Sequence, residues 1–171
     1  MFELRTSTPE QTKAVASALA RLAEPGDLLV LSGDLGAGKT TFTQGFARAL
    51  GVAEPVTSPT FVLHRSYPGR LRLHHLDVYR LGGPDEADDL DLPGLLEGDA
   101  VTLVEWGETI GAVLPVARLT VRLTLGAGDD DRVVRLEPAG CSWAAREPAL
   151  RAALASWMAS AAGDRNEAAR C

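Results

Sequence analysis

Residues 33 to 40 read Gly33-Asp34-Leu35-Gly36-Ala37-Gly38-Lys39-Thr40 and fill every fixed position of the pattern G-x-x-x-x-G-K-[ST]. The chemistry this spacing serves is the capture of a nucleoside triphosphate. Glycines let the backbone curl until successive N–H groups face one anion, a lysine reaches the outer phosphates as a point charge, and the closing hydroxyl holds Mg²⁺. Asp34, Leu35, Gly36, Ala37, Gly38, Lys39, Thr40 and Thr41 are therefore the candidate nucleotide-binding residues. Lysine usage sharpens the point. Lys13 and Lys39 stand beside fifteen arginines, so basic positions are filled by arginine almost everywhere while this loop keeps a lysine. A compact ammonium suits a crowded phosphate cradle better than a planar guanidinium.

Holding phosphates is not yet hydrolysis, which also needs a carboxylate near Mg²⁺ and a group that orients water. Two strand ends offer carboxylates. Asp77 closes Leu71-Arg72-Leu73-His74-His75-Leu76-Asp77, and Glu105 closes Val101-Thr102-Leu103-Val104-Glu105. Strands of open α/β sheets end at the ligand crevice, so both can converge on Thr40 and a metal. The expected catalytic set is Lys39, Asp77 and Glu105, and the expected metal ligands are Thr40, Glu105 and Asp77; the alternative makes the two acids simple turn caps. Thr57-Ser58-Pro59-Thr60 places hydroxyls on a proline-stiffened turn, readable as a phosphate sensor or as plain turn chemistry. Arg80 can approach a phosphate or a partner, or serve as a surface ion-pair residue. Trp106 can pack beside a base or fill the core. His74 and His75 read as ordinary strand residues.

The elements that must position these groups follow from periodicity. Ser7-Thr8-Pro9-Glu10 has capping-box spacing, and Val15, Ala18, Leu19 and Leu22 recur on one helical face. Pro25-Gly26-Asp27 stops that helix. Leu28 to Leu31 reads as a buried parallel strand, Thr41 to Leu50 as a helix, and Gly51 as its C-terminal stop. Phe61 to Tyr67 and Leu71 to Asp77, joined by Pro68-Gly69-Arg70, must pair antiparallel. Alternation from Arg118 to Leu125 marks a half-exposed strand that turns back into Arg132 to Glu137. Trp143 to Ala162 is expected to be one closing amphipathic helix. The fold class predicted is α/β, a P-loop NTPase fold of three layers around a mixed, parallel plus antiparallel, central sheet. Residues 1–162 are expected to form a single domain and 163–171 a polar tail.

With 171 residues and 46% hydrophobic content, the chain can bury one sizeable core. Its start lacks the build of a signal peptide, and no apolar stretch approaches the roughly 18 residues a membrane helix needs, so a cytoplasmic location is expected. Cys141 and Cys171 lie far apart without CxxC spacing, which argues for free thiols. The net charge is −6. That argues against autonomous nucleic-acid binding, whose affinity comes largely from phosphate neutralisation. The acidic run from Asp85 to Asp91 reads as a solvated helix start or a partner-docking segment.

In order along the chain, the glycine-rich loop, Ser58-Pro59-Thr60-Phe61, His75-Leu76-Asp77-Val78-Tyr79-Arg80-Leu81 and Glu105-Trp106 resemble the TsaE family, the ATPase component of the bacterial machinery that makes threonylcarbamoyladenosine in tRNA. The likeness spans about residues 8 to 140. It implies ATP and Mg²⁺ as cofactors, Thr40 and Glu105 as metal positions with Asp77 nearby, and Thr60, Tyr79 and Arg80 on the phosphate-sensing or partner-facing side. It also implies nucleotide contacts at Gln11 or Thr12 and at Arg132. The partners implied are TsaD and TsaB, with hydrolysis resetting that pair and tRNA touched only through it. The segment 85–93 departs from the family's usual helix. Two other classes share strand, loop and helix: a small-molecule kinase, for which no arginine-rich lid is evident, and a nucleotide-dependent adaptor that does not hydrolyse.

Overall fold

A run of five apolar or small residues can be buried on both faces only in the middle of a sheet, and β2 (Leu28–Ser32) occupies that place, every residue buried. The computed structural model describes residues 1–58, 63–87, 90–96 and 98–158. They form one seven-stranded mixed sheet in the order β1-β7-β6-β2-β5-β4-β3. The strands are β1 (Phe2–Thr6), β3 (His64–Tyr67), β4 (Arg72–Asp77), β5 (Ala100–Glu105), β6 (Arg118–Leu125) and β7 (Arg132–Ala139). β4, β5, β2 and β6 run parallel; β3 pairs antiparallel with β4, β7 with β6, and β1 with β7. The short connections at 68–71 and 126–131 give the antiparallel pairs their necessity, as the sequence predicts.

Helices cover both faces unequally. On one, α1 (Pro9–Leu22), α2 (Lys39–Ala49) and α5 (Glu147–Leu154) bury a large core including Val15, Leu19, Phe42, Phe46, Leu150 and Leu154. On the other, α3 (Leu92–Leu96), the turn Pro84–Ala87 and the segment around Ile110 cover a smaller core built on Leu28, Val30, Leu76 and Val104. The two helices beside the glycine-rich loop lie very close. A Cβ on Gly45 would fall 2.4 Å from the Lys13 carbonyl, so only glycine allows the crossing, and Ser17 Oγ donates to the Gly45 carbonyl at 2.8 Å.

Several expectations change. The helix cap is Thr8 rather than Ser7: its hydroxyl accepts from the Gln11 N–H, and Gln11 Oε1 accepts from the Ser7 N–H, a reciprocal box shifted by one residue. The closing helix is two short ones, α4 (Cys141–Ala145) and α5, with a single 3₁₀ turn over Ala155–Trp157. Pro148 has no N–H to donate back to Ala144, so continuous helix cannot pass it. Finally, β1 is a strand that the sequence reading does not anticipate. It shows buried Phe2, Leu4 and Thr6 alternating with outward Glu3 and Arg5. Gly51 follows α2 at φ +82° as expected. The acidic run opens as a single 3₁₀ turn rather than a helix. No helix among the described residues is long and apolar enough to cross a membrane. Thr60, Asp88, Asp89 and the expected tail at 163–171 lie outside the described residues.

Candidate nucleotide site

Parallel pairing brings the C-terminal ends of β2, β5 and β4 to one edge. Leu31 stands opposite Glu105, and Glu105 opposite Asp77, so the two carboxylates and the start of the glycine-rich loop meet by register alone. The loop itself is shaped by glycines at positive φ: Gly33 (+134°), Gly36 (+80°) and Gly38 (+104°), the last capping α2 with no side chain over the helix end. Gly33 has no substitute, because a Cβ there would lie 2.1 Å from the Leu123 carbonyl oxygen. Open N–H groups at the α2 N-terminus and the helix dipole favour an anion in this position.

A cleft of about 390 Å³ lies against the loop, lined by Leu35, Gly36, Gly38, Lys39, Thr40, Thr41, Ser58, Asp77, Tyr79, Glu105 and Trp106. It therefore gathers most of the residues singled out from sequence. Asp34 and Ala37 support it through the backbone: the Ala37 N–H donates to the Asp34 carbonyl across the turn. Lys39 Nζ donates to the carbonyls of Gly33 at 2.6 Å and Asp34 at 2.9 Å and lies 3.4 Å from the centroid of the Trp106 ring. Burial pushes its pKa below the usual lysine value, against the raising influence of Glu105, Glu108, Asp77 and Asp34. Trp106 holds φ +62°, the one non-glycine positive φ among the described residues, and packs on Tyr79 at 4.9 Å between centroids. It lines the cleft and also packs against the smaller core.

The acids differ in surroundings. Glu105 is 2% exposed and accepts three hydrogen bonds, from Thr40 Oγ1 at 3.2 Å, Thr43 Oγ1 at 2.9 Å and His75 Nε2 at 2.9 Å. Asp77 is half-buried, accepts from Ser58 Oγ and takes the Tyr79 N–H at 3.2 Å. Thr40 and Glu105 thus offer adjacent hard oxygens at the cleft, with Asp77 on the neighbouring strand. That donor set suits Mg²⁺, which takes one or two protein oxygens and completes its shell with phosphates and water.

Thr12 and Arg132 lie elsewhere. They line a small hollow of about 30 Å³ behind Gly38 and Thr41. The Thr12 hydroxyl is engaged with Thr6 Oγ1 at 2.8 Å, while Arg132 braces the loop by donating to the carbonyls of Ala37 at 3.0 Å and Gly36 at 3.2 Å. Sequence reasoning missed Thr43, His75 and Glu108, whose carboxylate accepts the Gly33 N–H at 3.5 Å. The signal available for His75 was parity: it shares with Asp77 the strand face that meets α2, whereas His74 faces away and touches His64 at 2.9 Å.

Residues 6–134 match the family model described as "Threonylcarbamoyl adenosine biosynthesis protein TsaE". The chain belongs to the TsaE family. Among TsaE proteins, that of Bacillus subtilis is 49% identical over 137 residues, covering 80% of this chain and 85% of the relative. That of Streptomyces coelicolor is 50% identical over 121 residues, covering 68% and 81%. Both carry the name tRNA threonylcarbamoyladenosine biosynthesis protein TsaE. The crystal structure of Bacillus subtilis YdiB superposes with a TM-score of 0.76 at 41% identity, over 88% of this TsaE chain and 93% of that one. The match to the family model takes in the glycine-rich loop, Asp77, Glu105 and Arg132 together.

Proposed function

We propose that this chain has the P-loop NTPase fold, binds ATP with Mg²⁺ in the cleft at the α2 N-terminus and hydrolyses it, in the service of threonylcarbamoyl modification of tRNA adenosine. The observation that carries the reading is the pairing of Thr40 Oγ1 with Glu105 Oε2, at 3.2 Å, beneath a loop whose glycines leave the helix end open to an anion. The loop N–H groups and Lys39 would hold the phosphates. Thr40 keeps its lone pairs for the ion while its hydrogen is directed at Glu105. Bound there, Mg²⁺ would neutralise charge on the terminal phosphates and polarise them toward attack. Asp77, half-buried on the next strand and holding Ser58, would orient the attacking water. Family membership supports a part in threonylcarbamoyladenosine biosynthesis, and the partners we propose are TsaD and TsaB, with hydrolysis resetting their assembly. An acidic chain leaves contact with tRNA to those partners.

The test is calorimetry with Mg²⁺–ATP followed by phosphate release with and without added TsaD and TsaB. Uptake of ATP and faster release of inorganic phosphate on addition of the pair are expected. No heat of binding would overturn the nucleotide site, and equal rates would overturn the reset. Phosphate appearing on a metabolite instead of in water would mark a kinase.

A further inference from the structure

The ring of donors around Glu105 is more specific than a buried carboxylate needs. Oε1 faces Thr43 Oγ1 and His75 Nε2, both at 2.9 Å, and Oε2 faces Thr40 Oγ1. Thr40 and Thr43 are one helical turn apart on α2, so the same helix face supplies a hydroxyl to each oxygen. Their protons are not equally available. The Thr43 hydroxyl has one hydrogen and two acceptors in reach, Glu105 Oε1 and the Lys39 carbonyl at 3.0 Å. His75 has no such competition. Its ring is fully buried, and Nδ1 has no partner among the described residues. A carboxylate has no hydrogen to give, so the His75 contact requires the hydrogen on Nε2.

We infer that His75, seconded by Thr43, is a positioning residue that pins Oε1 of Glu105 and thereby commits Oε2 to Thr40 and to the divalent ion. The inference rests on the reading of the cleft as a metal–nucleotide site and adds to it a residue that never touches the metal. Without the pin, a carboxylate with freedom about its last torsion would present its charge to the ion only part of the time. Partners of this kind commonly alter metal affinity by about 10- to 100-fold.

The test uses the whole chain with His75→Leu, which keeps volume and removes the donor, and His75→Gln, whose amide N–H has similar reach. Mn²⁺ binding is read by paramagnetic resonance in the presence of ADP, and ADP binding in EDTA by calorimetry. About a 10-fold or greater loss of Mn²⁺ affinity is expected for His75→Leu. His75→Gln should recover to within about threefold of the parent, and ADP affinity in EDTA should be unchanged in both. A folded His75→Leu chain that binds Mn²⁺ as the parent does would overturn the inference alone, as would equal losses in Leu and Gln. A parent chain that binds ADP but no Mn²⁺ would overturn the metal reading and this inference with it. Should His75→Leu not fold, long-range ¹H–¹⁵N spectra of the parent decide: a hydrogen on Nε2 supports the pin, and an Nε2 without a hydrogen overturns it.

Discussion

Asp77 and Glu105 end neighbouring parallel strands in exact register, yet they occupy different worlds. Glu105 is walled in, with three side-chain donors drawn from α2 and β4. Asp77 is half-open and holds two groups that belong to loops, Ser58 and the Tyr79 N–H. A buried carboxylate held by three side-chain donors is slow to reorient, whereas a partly solvated one can release its partners at small cost. On the proposed reading of the site, Glu105 would act as an anchor and Asp77 as a latch, a division of labour that two identical-looking strand ends do not announce.

The strongest way to break the comparison is substitution that removes charge and keeps shape. Glu105→Gln is expected to lower metal-supported ATP turnover on the order of 100-fold, as loss of a preorganised charge does. Asp77→Asn should lower it by about 10-fold, its partial exposure leaving water to share the task. Phosphate-release kinetics on the two variants, each checked for folding by a melting curve, would reverse the assignment if Asp77→Asn proved the more damaging.

The two acids should also differ in what they do to Lys39. Burial lowers that amine, and Glu105 opposes the lowering more than Asp77 does. Phosphate prefers the protonated amine, so affinity is lost as pH rises through the Lys39 pKa of the free protein. In Glu105→Gln that loss should begin at lower pH than in Asp77→Asn. ADP titrations in EDTA across the alkaline range would show this, and identical profiles would remove the electrostatic distinction. The smallest effect is expected from Ser58→Ala, which takes away the partner of the latch. Turnover should fall by no more than about fivefold and the melting temperature by no more than about 4 °C, since a hydrogen bond of this exposure contributes only about 1 kcal/mol. A loss as large as that of Asp77→Asn would make Ser58 a principal residue of the site.

Much of this molecule is readable without coordinates. The glycine-rich loop is a local pattern whose residues must all serve one curled backbone, so its chemistry travels with the eight letters. The buried runs at 28–31 and 101–105 announce central parallel strands, and the turn at 68–70 compels an antiparallel pair. β1 was legible in principle, because Phe2-Glu3-Leu4-Arg5 alternates, but five residues without a turn signal carry little weight until β7, some 130 positions away, supplies the partner. The break in the closing helix is equally legible, because Pro148 lacks the N–H that a continuous helix needs there.

What the chain determined alone was the kind of chemistry: a lysine, a hydroxyl and a set of glycines at fixed spacing, with two acids at strand ends, because these depend on short-range geometry. What only the tertiary structure decided was the different surroundings of those acids and the choice between two adjacent histidines. His74 and His75 are the same residue one step apart, and the pleat of β4 sends one toward His64 and the other into the pocket behind Glu105. Side-chain direction alternates along a strand, but which direction leads to the site depends on which face α2 covers. That is settled by the packing of elements distant in sequence.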